Sequence, residues 1–329
     1  MAEVSTKEVL SGYFNSLRGS ATAKLRSAID RKELYEYEEQ IGKELLDMDV
    51  DDLFGLMKYL VNSSAGNAEY RTAISSYDTY ASVFRGVFNY YIDNAEVKIK
   101  NPFYDPRMRR SNAMRELMKG QKTLTWADVE EIIRKIHRDY PEGRATYYEC
   151  LIRLFYEGVY NCDELVNIKE RDIVFRTRTV VLPGRTLNLS SKTFKLLVEV
   201  NSMEKLEAHH GYLIMESYHG SYFKFAIFDG QKSGFQDRPE KLVTNIASKV
   251  FTMQLNKKYN VYLSYSTLYW LGFYDYLVRK YGEDKTQEKL KSYRVMQDVK
   301  DISQAAIEYG TPEQDVTIIK KKLAIFVKY

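Results

Sequence analysis

Between Lys98 and Lys122 the chain sets Lys98, Lys100, Arg107, Arg109, Arg110, Arg115, Lys119 and Lys122 against two acids, Asp105 and Glu116. Cations clustered in this way attract phosphate oxygens by Coulomb forces and by releasing condensed counterions. On composition alone, a solvated linker is the plain alternative. The net charge of +4 says little; its distribution says more. Other chemistry is thin. His209–His210 has no Cys or carboxylate at ligand spacing, so neither a metal nor a cofactor is expected. Cys150 and Cys162 are too few for a disulfide framework or a four-ligand zinc site. They read as small buried hydrophobes in a reducing cytoplasm.

The elements that must position these groups come next. The 329 residues suit two domains, and 44% apolar with 29% charged is an ordinary globular balance. No apolar run approaches the roughly 18 residues of a membrane span, and the polar start, Met1 to Lys7, argues against secretion. The first third reads as helical. Leu34, Tyr37, Ile41, Leu45 and Met48 recur at helical spacing. Asp49 or Asp51 caps a second helix bearing Leu53, Leu56, Met57 and Leu60. Residues 63–67 break the pattern, and a third helix carries Ile74, Tyr77, Val83, Phe84, Val87, Phe88 and Tyr91. Pro102 ends it.

Thr125 and Asp128 form a capping box that opens the second domain, with helices at 126–136 and 146–156. Short strands follow at 172–176, 179–182 and 186–189, turned by Pro183–Gly184. A helix at 192–200 leads to β-prone runs at 212–215 and 222–228 and a polar loop, 230–239. Helices resume at 241–255, 267–281 and 301–309. The apolar tail from Val316 to Tyr329 packs on its own domain or docks on a neighbouring copy.

Two stretches together resemble the tyrosine recombinases, or phage integrases. Phe88–Asn89–Tyr90–Tyr91 followed by Lys100–Asn101–Pro102–Phe103 resembles the "NYL…KNPF" phrase closing their helical core-binding domain. Glu164–Leu165–Val166, with Asp172–Ile173 eight residues after the glutamate, is similar to "SELL…DI". Leu187–Asn188–Leu189–Ser190 matches the "VPLS" exit of their β-hairpin. The likeness runs from about residue 20 to 310. It implies a mainly α fold with a small β-sheet, divided as a core-binding domain 1–102, a basic linker 103–122 and a catalytic-like α/β domain 123–329.

The family cleaves DNA by attack of a tyrosine on the scissile phosphate, with arginines, a lysine and a histidine calming the extra negative charge. Matched position by position, that set is missing. The first arginine falls at Tyr160 or Asn161. The hairpin lysine has only Arg185 as its counterpart, in a turn where a surface arginine is the plain reading. Ser266 and Tyr269 stand where His-x-x-Arg belongs, and Val299 where a later His or Trp belongs. Ile302–Ser303…Tyr309 resembles "SIxTTLDTY", which makes Tyr309 a vestigial nucleophile position.

What remains is binding to double-stranded DNA. The resemblance offers Arg71, Ser75, Thr79 and Arg85 from the third helix, Lys98, Lys100, Arg107, Arg109, Arg110, Arg115 and Lys122 from the basic stretch, and Arg185. In the second domain it adds Lys232, Arg238, Lys241, Thr244, Asn245 and Lys249. The expectation is a cytoplasmic, non-cleaving repressor of the integrase-like kind that some temperate phages use to maintain lysogeny. A small antagonist peptide or protein would relieve it, and the tail offers a route to a homo-oligomer. The rivals are a divergent active recombinase, with Arg153, Arg185 or Arg279 converging on Tyr309, and an accessory protein that bends DNA.

Overall fold

The structure is a computed structural model. It describes residues 5–17, 29–65, 75–95, 100–109, 112–113, 121–208, 211–227, 246–292, 295–313 and 315–328. The described residues are mainly helical, with two small antiparallel sheets, and the chain divides into two units, residues 1–122 and 123–328.

In the first unit, α1 (Thr6–Ser16) opens on a capping box between Ser5 and Glu8 and buries Val9, Leu10 and Phe14. Helix α2 (Lys32–Ile41) was expected to run on through Leu45 and Met48. It stops instead at Gly42, whose φ of +68° only glycine adopts cheaply. Leu45 and Met48 are buried all the same, from a short 3-10 turn and its end. The break lets the buried Glu38 carboxylate accept from Thr6 Oγ1 at 2.5 Å and Leu45 N at 2.9 Å. Asp49 caps α3 (Val50–Ala65), accepting from the amides of Asp51 and Asp52.

Helix α4 (Ser75–Ala95) buries Tyr77, Val83, Phe84, Val87 and Phe88. The asparagine of the Lys100–Phe103 phrase is a structural clasp. Asn101 donates to Arg85 O and Asn89 Oδ1 and accepts from Phe103 N. It thereby seats Phe103, whose ring centroid lies 5.8 Å from those of both Phe84 and Phe88. A linker starting at residue 103 does not describe this segment. Phe103, Met108 and Ala113 are buried, and Tyr77 donates to Met108 O.

The second unit opens at α5 (Trp126–Asp139) with the expected Thr125–Asp128 capping box. Helix α6 (Glu142–Tyr156) is buried along almost its whole length. After α7 (Cys162–Asn167), strands β1 (Ile173–Val174), β2 (Thr179–Leu182) and β3 (Arg185–Asn188) form one sheet, with Gly184 at φ +75° in the turn. Helix α8 (Ser191–Ser202) precedes a second sheet of β4 (Lys205–Ala208), β5 (Gly211–Ser217) and β6 (Lys224–Ile227). Strand β4 lies outside the β-prone runs expected at 212–215 and 222–228.

Residues 246–256 form a π-helical segment, and the first part of the helix expected over 241–255 lies outside the described residues. Helix α9 (Tyr265–Tyr281) packs against α6, followed by α10 (Glu283–Lys291), α11 (Met296–Tyr309) and α12 (Val316–Leu323). The tail is folded back on its own unit. Phe326 stacks on Tyr274 at 5.3 Å, and Gln287 brackets Phe326 O and Lys328 N. The apolar face offered to a neighbour is therefore occupied in cis.

No described helix is long and apolar enough to cross a membrane. Thr125→Ala removes the cap of α5 and should lower the unfolding free energy by about 1 kcal/mol in urea titrations.

Candidate functional site

Tyr309 ends α11, and its hydroxyl donates to the backbone carbonyl of Tyr156 at 3.3 Å. Tyr156 is the last residue of α6, where carbonyls lack amide partners. The two helices beneath come close because α9 carries Gly272. A methyl group there would collide with the Tyr156 carbonyl oxygen and stand 2.9 Å from the Tyr309 hydroxyl. Around the Tyr309 ring lie Tyr269, Phe273 and Tyr276, with centroids at 5.6, 5.0 and 5.4 Å. Tyr160 meets Tyr269 edge-on at 4.9 Å.

Three positions where the resemblance implies an active-site group thus come together as one aromatic cluster. Asn161 is occupied as the cap of α7, accepting from Glu164 N at 2.8 Å. Ser266 sits half-buried in the first turn of α9. Val299, early in α11, is not among the residues lining the cleft at Tyr309.

Arg185 is the main correction to the sequence reading. A surface arginine was expected in the turn, yet its side chain is only 7% exposed. It donates through Nη2 to Glu164 Oε2 at 2.5 Å and to Gly158 O at 2.8 Å. Glu164 also accepts from Tyr160 N. Gly158, at φ +118°, makes the turn that presents this carbonyl. Arg185 Nη1 is buried without a hydrogen-bond partner among the described residues. A methyl on Gly158 would lie 3.9 Å from it and 3.8 Å from the Tyr309 hydroxyl.

Tyr309 lines a cleft of about 910 Å³ whose other lining residues include Tyr276, Arg279, Lys280, Glu308, Glu157 and Ser190. Most of its charge is already paired. Lys280 bonds Glu308, which also accepts from Tyr276 at 2.7 Å. These partners hold the Glu308 carboxyl down at about 2. Glu157 accepts from Ser190 and Thr193. Arg279 is exposed, with Nε donating to Asp275 O. Arg153 is spent elsewhere, on Glu149 and over the Trp126 ring.

Burial pushes the Tyr309 hydroxyl well above the ordinary tyrosine value, and Tyr269 and Tyr156 add to this. Arg185 and Arg279 pull the other way without reversing it. Burial likewise raises Tyr269.

The DNA-binding candidates scatter. Lys100, Arg109, Lys122 and Thr79 are exposed. Arg107 is exposed but pairs with Asp51 at 2.7 Å and Asp105 at 3.2 Å. Arg85 is half-buried, 5.6 Å over the Tyr104 ring, and Lys249 is half-buried. Ser75 lies in α4. Arg71, Lys98, Arg110, Arg115, Lys232, Arg238, Lys241, Thr244 and Asn245 lie outside the described residues, as do His209 and His210. Among the described residues no group of His, Cys, Asp and Glu could hold a metal ion. Cys150 and Cys162 are buried and unpaired, and burial pushes the Cys162 thiol up to about 12.

Two site residues escaped the sequence reading, Tyr156 and Gly272. The signal for Gly272 was a glycine inside an apolar helix, between Leu271 and Phe273, which commonly marks a close approach. A backbone carbonyl such as that of Tyr156 leaves no signal.

No protein-family model matches the chain, and no curated protein does either. Among solved structures it is similar to XerA recombinase, with a TM-score of 0.36 and 12% identity over 96% of this chain and 93% of that one. It is also similar to the integrase of transposon Tn1549, solved in complex with circular intermediate DNA. There the TM-score is 0.37 and the identity 14%, over 91% of this chain and 95% of that one.

Two substitutions test this geometry. Gly272→Ala overpacks the α6–α9 contact and should cost about 1–3 kcal/mol in denaturant unfolding. Arg185→Met strands Glu164 beneath the hairpin and should cost about 3 kcal/mol by the same measurement.

Proposed function

We propose that this chain is a tyrosine-recombinase-type protein that binds specific duplex DNA without cutting it. In this reading it acts as a transcriptional repressor that maintains lysogeny of a temperate phage. The observation that carries the reading is the state of the Tyr309 hydroxyl: bonded to a backbone carbonyl, ringed by aromatic side chains and pushed up in pKa. Attack on a phosphate needs a phenol that gives up its proton and cations free to meet the growing charge. The nearest hairpin cation, Arg185, is instead neutralised by Glu164. Loss of one transition-state donor costs on the order of a hundredfold in rate or more, and several are replaced here.

Binding asks less of the residues. Exposed Lys100, Arg109 and Lys122 suit phosphate contacts, and Arg107 would exchange its two aspartates for DNA. The step from binder to repressor rests on the whole-chain pattern, which resembles the integrase-like master repressor of SPβ-type Bacillus prophages. An antagonist peptide or protein would then be the agent of release.

A divergent active recombinase is the second reading. It is favoured by the unpartnered Arg185 Nη1 on the Tyr309 side and by Arg279 in the same cleft.

On a duplex carrying a nick beside the scissile position, the protein is expected to bind and to form no covalent adduct, with Tyr309→Phe binding equally well. An adduct abolished by Tyr309→Phe would establish the second reading. Genome-wide mapping of bound DNA should show few discrete sites near phage promoters; sites confined to an attachment locus would contradict repression.

A further inference from the structure

The opposite end of α6 carries a second cationic cluster, about 18 Å along the helix from the Tyr156 carbonyl at 1.5 Å per residue. Arg144 is 7% exposed, yet no carboxylate lies within ion-pair distance of it among the described residues. Buried arginines ordinarily have an anionic partner. This guanidinium lies over two tyrosine rings, 5.1 Å from the centroid of Tyr140 and 5.5 Å from that of Tyr148. Its Nε donates to Tyr148 Oη at 2.8 Å and Nη2 to Gln254 Oε1 at 3.2 Å. Both acceptors are neutral, so the positive charge is fixed in place and left uncompensated.

A second cation shares the same ring. Lys258 Nζ stands 4.1 Å from the Tyr140 centroid and keeps 39% of its side chain exposed. Its anion is Asp139, at 3.6 Å, and that carboxylate already accepts from Arg138 Nε at 2.8 Å. Arg138, Arg144 and Lys258 thus share one carboxylate, Asp139, in this corner among the described residues. No side chain caps α6, so its first-turn amides add partial positive charge.

We propose that this cluster is a binding site for a phosphate group, held between Lys258 and the uncovered edge of Arg144 with Tyr140 as its wall. A fixed planar guanidinium beside a mobile ammonium offers directed donors and a point charge together, which suits a tetrahedral oxyanion. The phosphate comes either from a nucleic-acid backbone or from a free phosphorylated molecule. The site stands apart from the Tyr309 cleft and does not depend on whether that cleft cuts DNA.

The test is the thermal midpoint of the full chain titrated with inorganic phosphate against chloride at fixed ionic strength. A saturable rise is expected with phosphate. In Lys258→Gln the apparent Kd should weaken about tenfold, the loss of one charge-assisted contact, each protein being compared with its own midpoint in chloride. Arg144→Lys keeps the charge, removes the fork and should also weaken the response. Duplex affinity of Lys258→Gln identifies the source. A fall, with the salt slope reduced by about one, assigns a backbone phosphate, and an unchanged affinity assigns a free phosphorylated ligand. A phosphate response no larger than that to chloride, or a full response in Lys258→Gln, overturns the proposal.

Discussion

Every α-helix ends in carbonyl groups with no amide to meet them, and α6 ends at Tyr156, whose carbonyl lies against the Tyr309 hydroxyl. Tyr156 O needs a donor, and Tyr309 supplies one from a helix that begins far later in the chain. The bond forms because Gly272 removes the side chain that would otherwise hold α9 away from that carbonyl. A hydrogen bond of this kind contributes only about 1 kcal/mol net. Its larger consequence is chemical: the phenolic proton is the one making the bond, in a buried setting that disfavours the phenolate.

The electrostatics around Tyr309 follow the same direction. Arg185 acts on Tyr309 only through its charge, which is balanced by Glu164, and its Nη2 is used on Glu164 and Gly158 O. Lys280 is balanced by Glu308. Tyr269 packs its ring beside Tyr309, and Tyr160 meets Tyr269 edge-on. On the proposed reading, a cleft with these contents lies against a phosphate backbone and does not stabilise a pentavalent phosphorus.

Local signals read well. The capping box at Thr125, the cap at Asp49 and the Pro183–Gly184 turn follow from short-range hydrogen bonding and backbone geometry, and each stands where its residues place it. Signals that depend on distant partners did not. Helix α2 breaks at Gly42 although Leu45 and Met48 keep helical spacing, because burial constrains which residues face inward and not the backbone that carries them. Strand β4 buries only Leu206, and α10 buries Thr286, Gln287 and Leu290, so neither shows an apolar stripe. Arg185 looked like a surface residue because its counterion lies 21 positions earlier, and the Tyr156–Tyr309 bond spans 153. The three tyrosines that the resemblance singled out lie together, and the charge balance around them had no local signal.

The most direct test of a locked Tyr309 is its own titration, by ¹³C NMR of ring-labelled tyrosine with Tyr309→Phe to assign the signal, in free and duplex-bound protein. A raised folded value means that the proton is held in the native state. Its stabilising contribution is complete below the unfolded value of about 10 and is lost as pH rises through the higher folded one. The expected result is a Tyr309 signal that stays protonated through pH 10 in both states. A signal that ionises below about 9 once duplex is bound would contradict it.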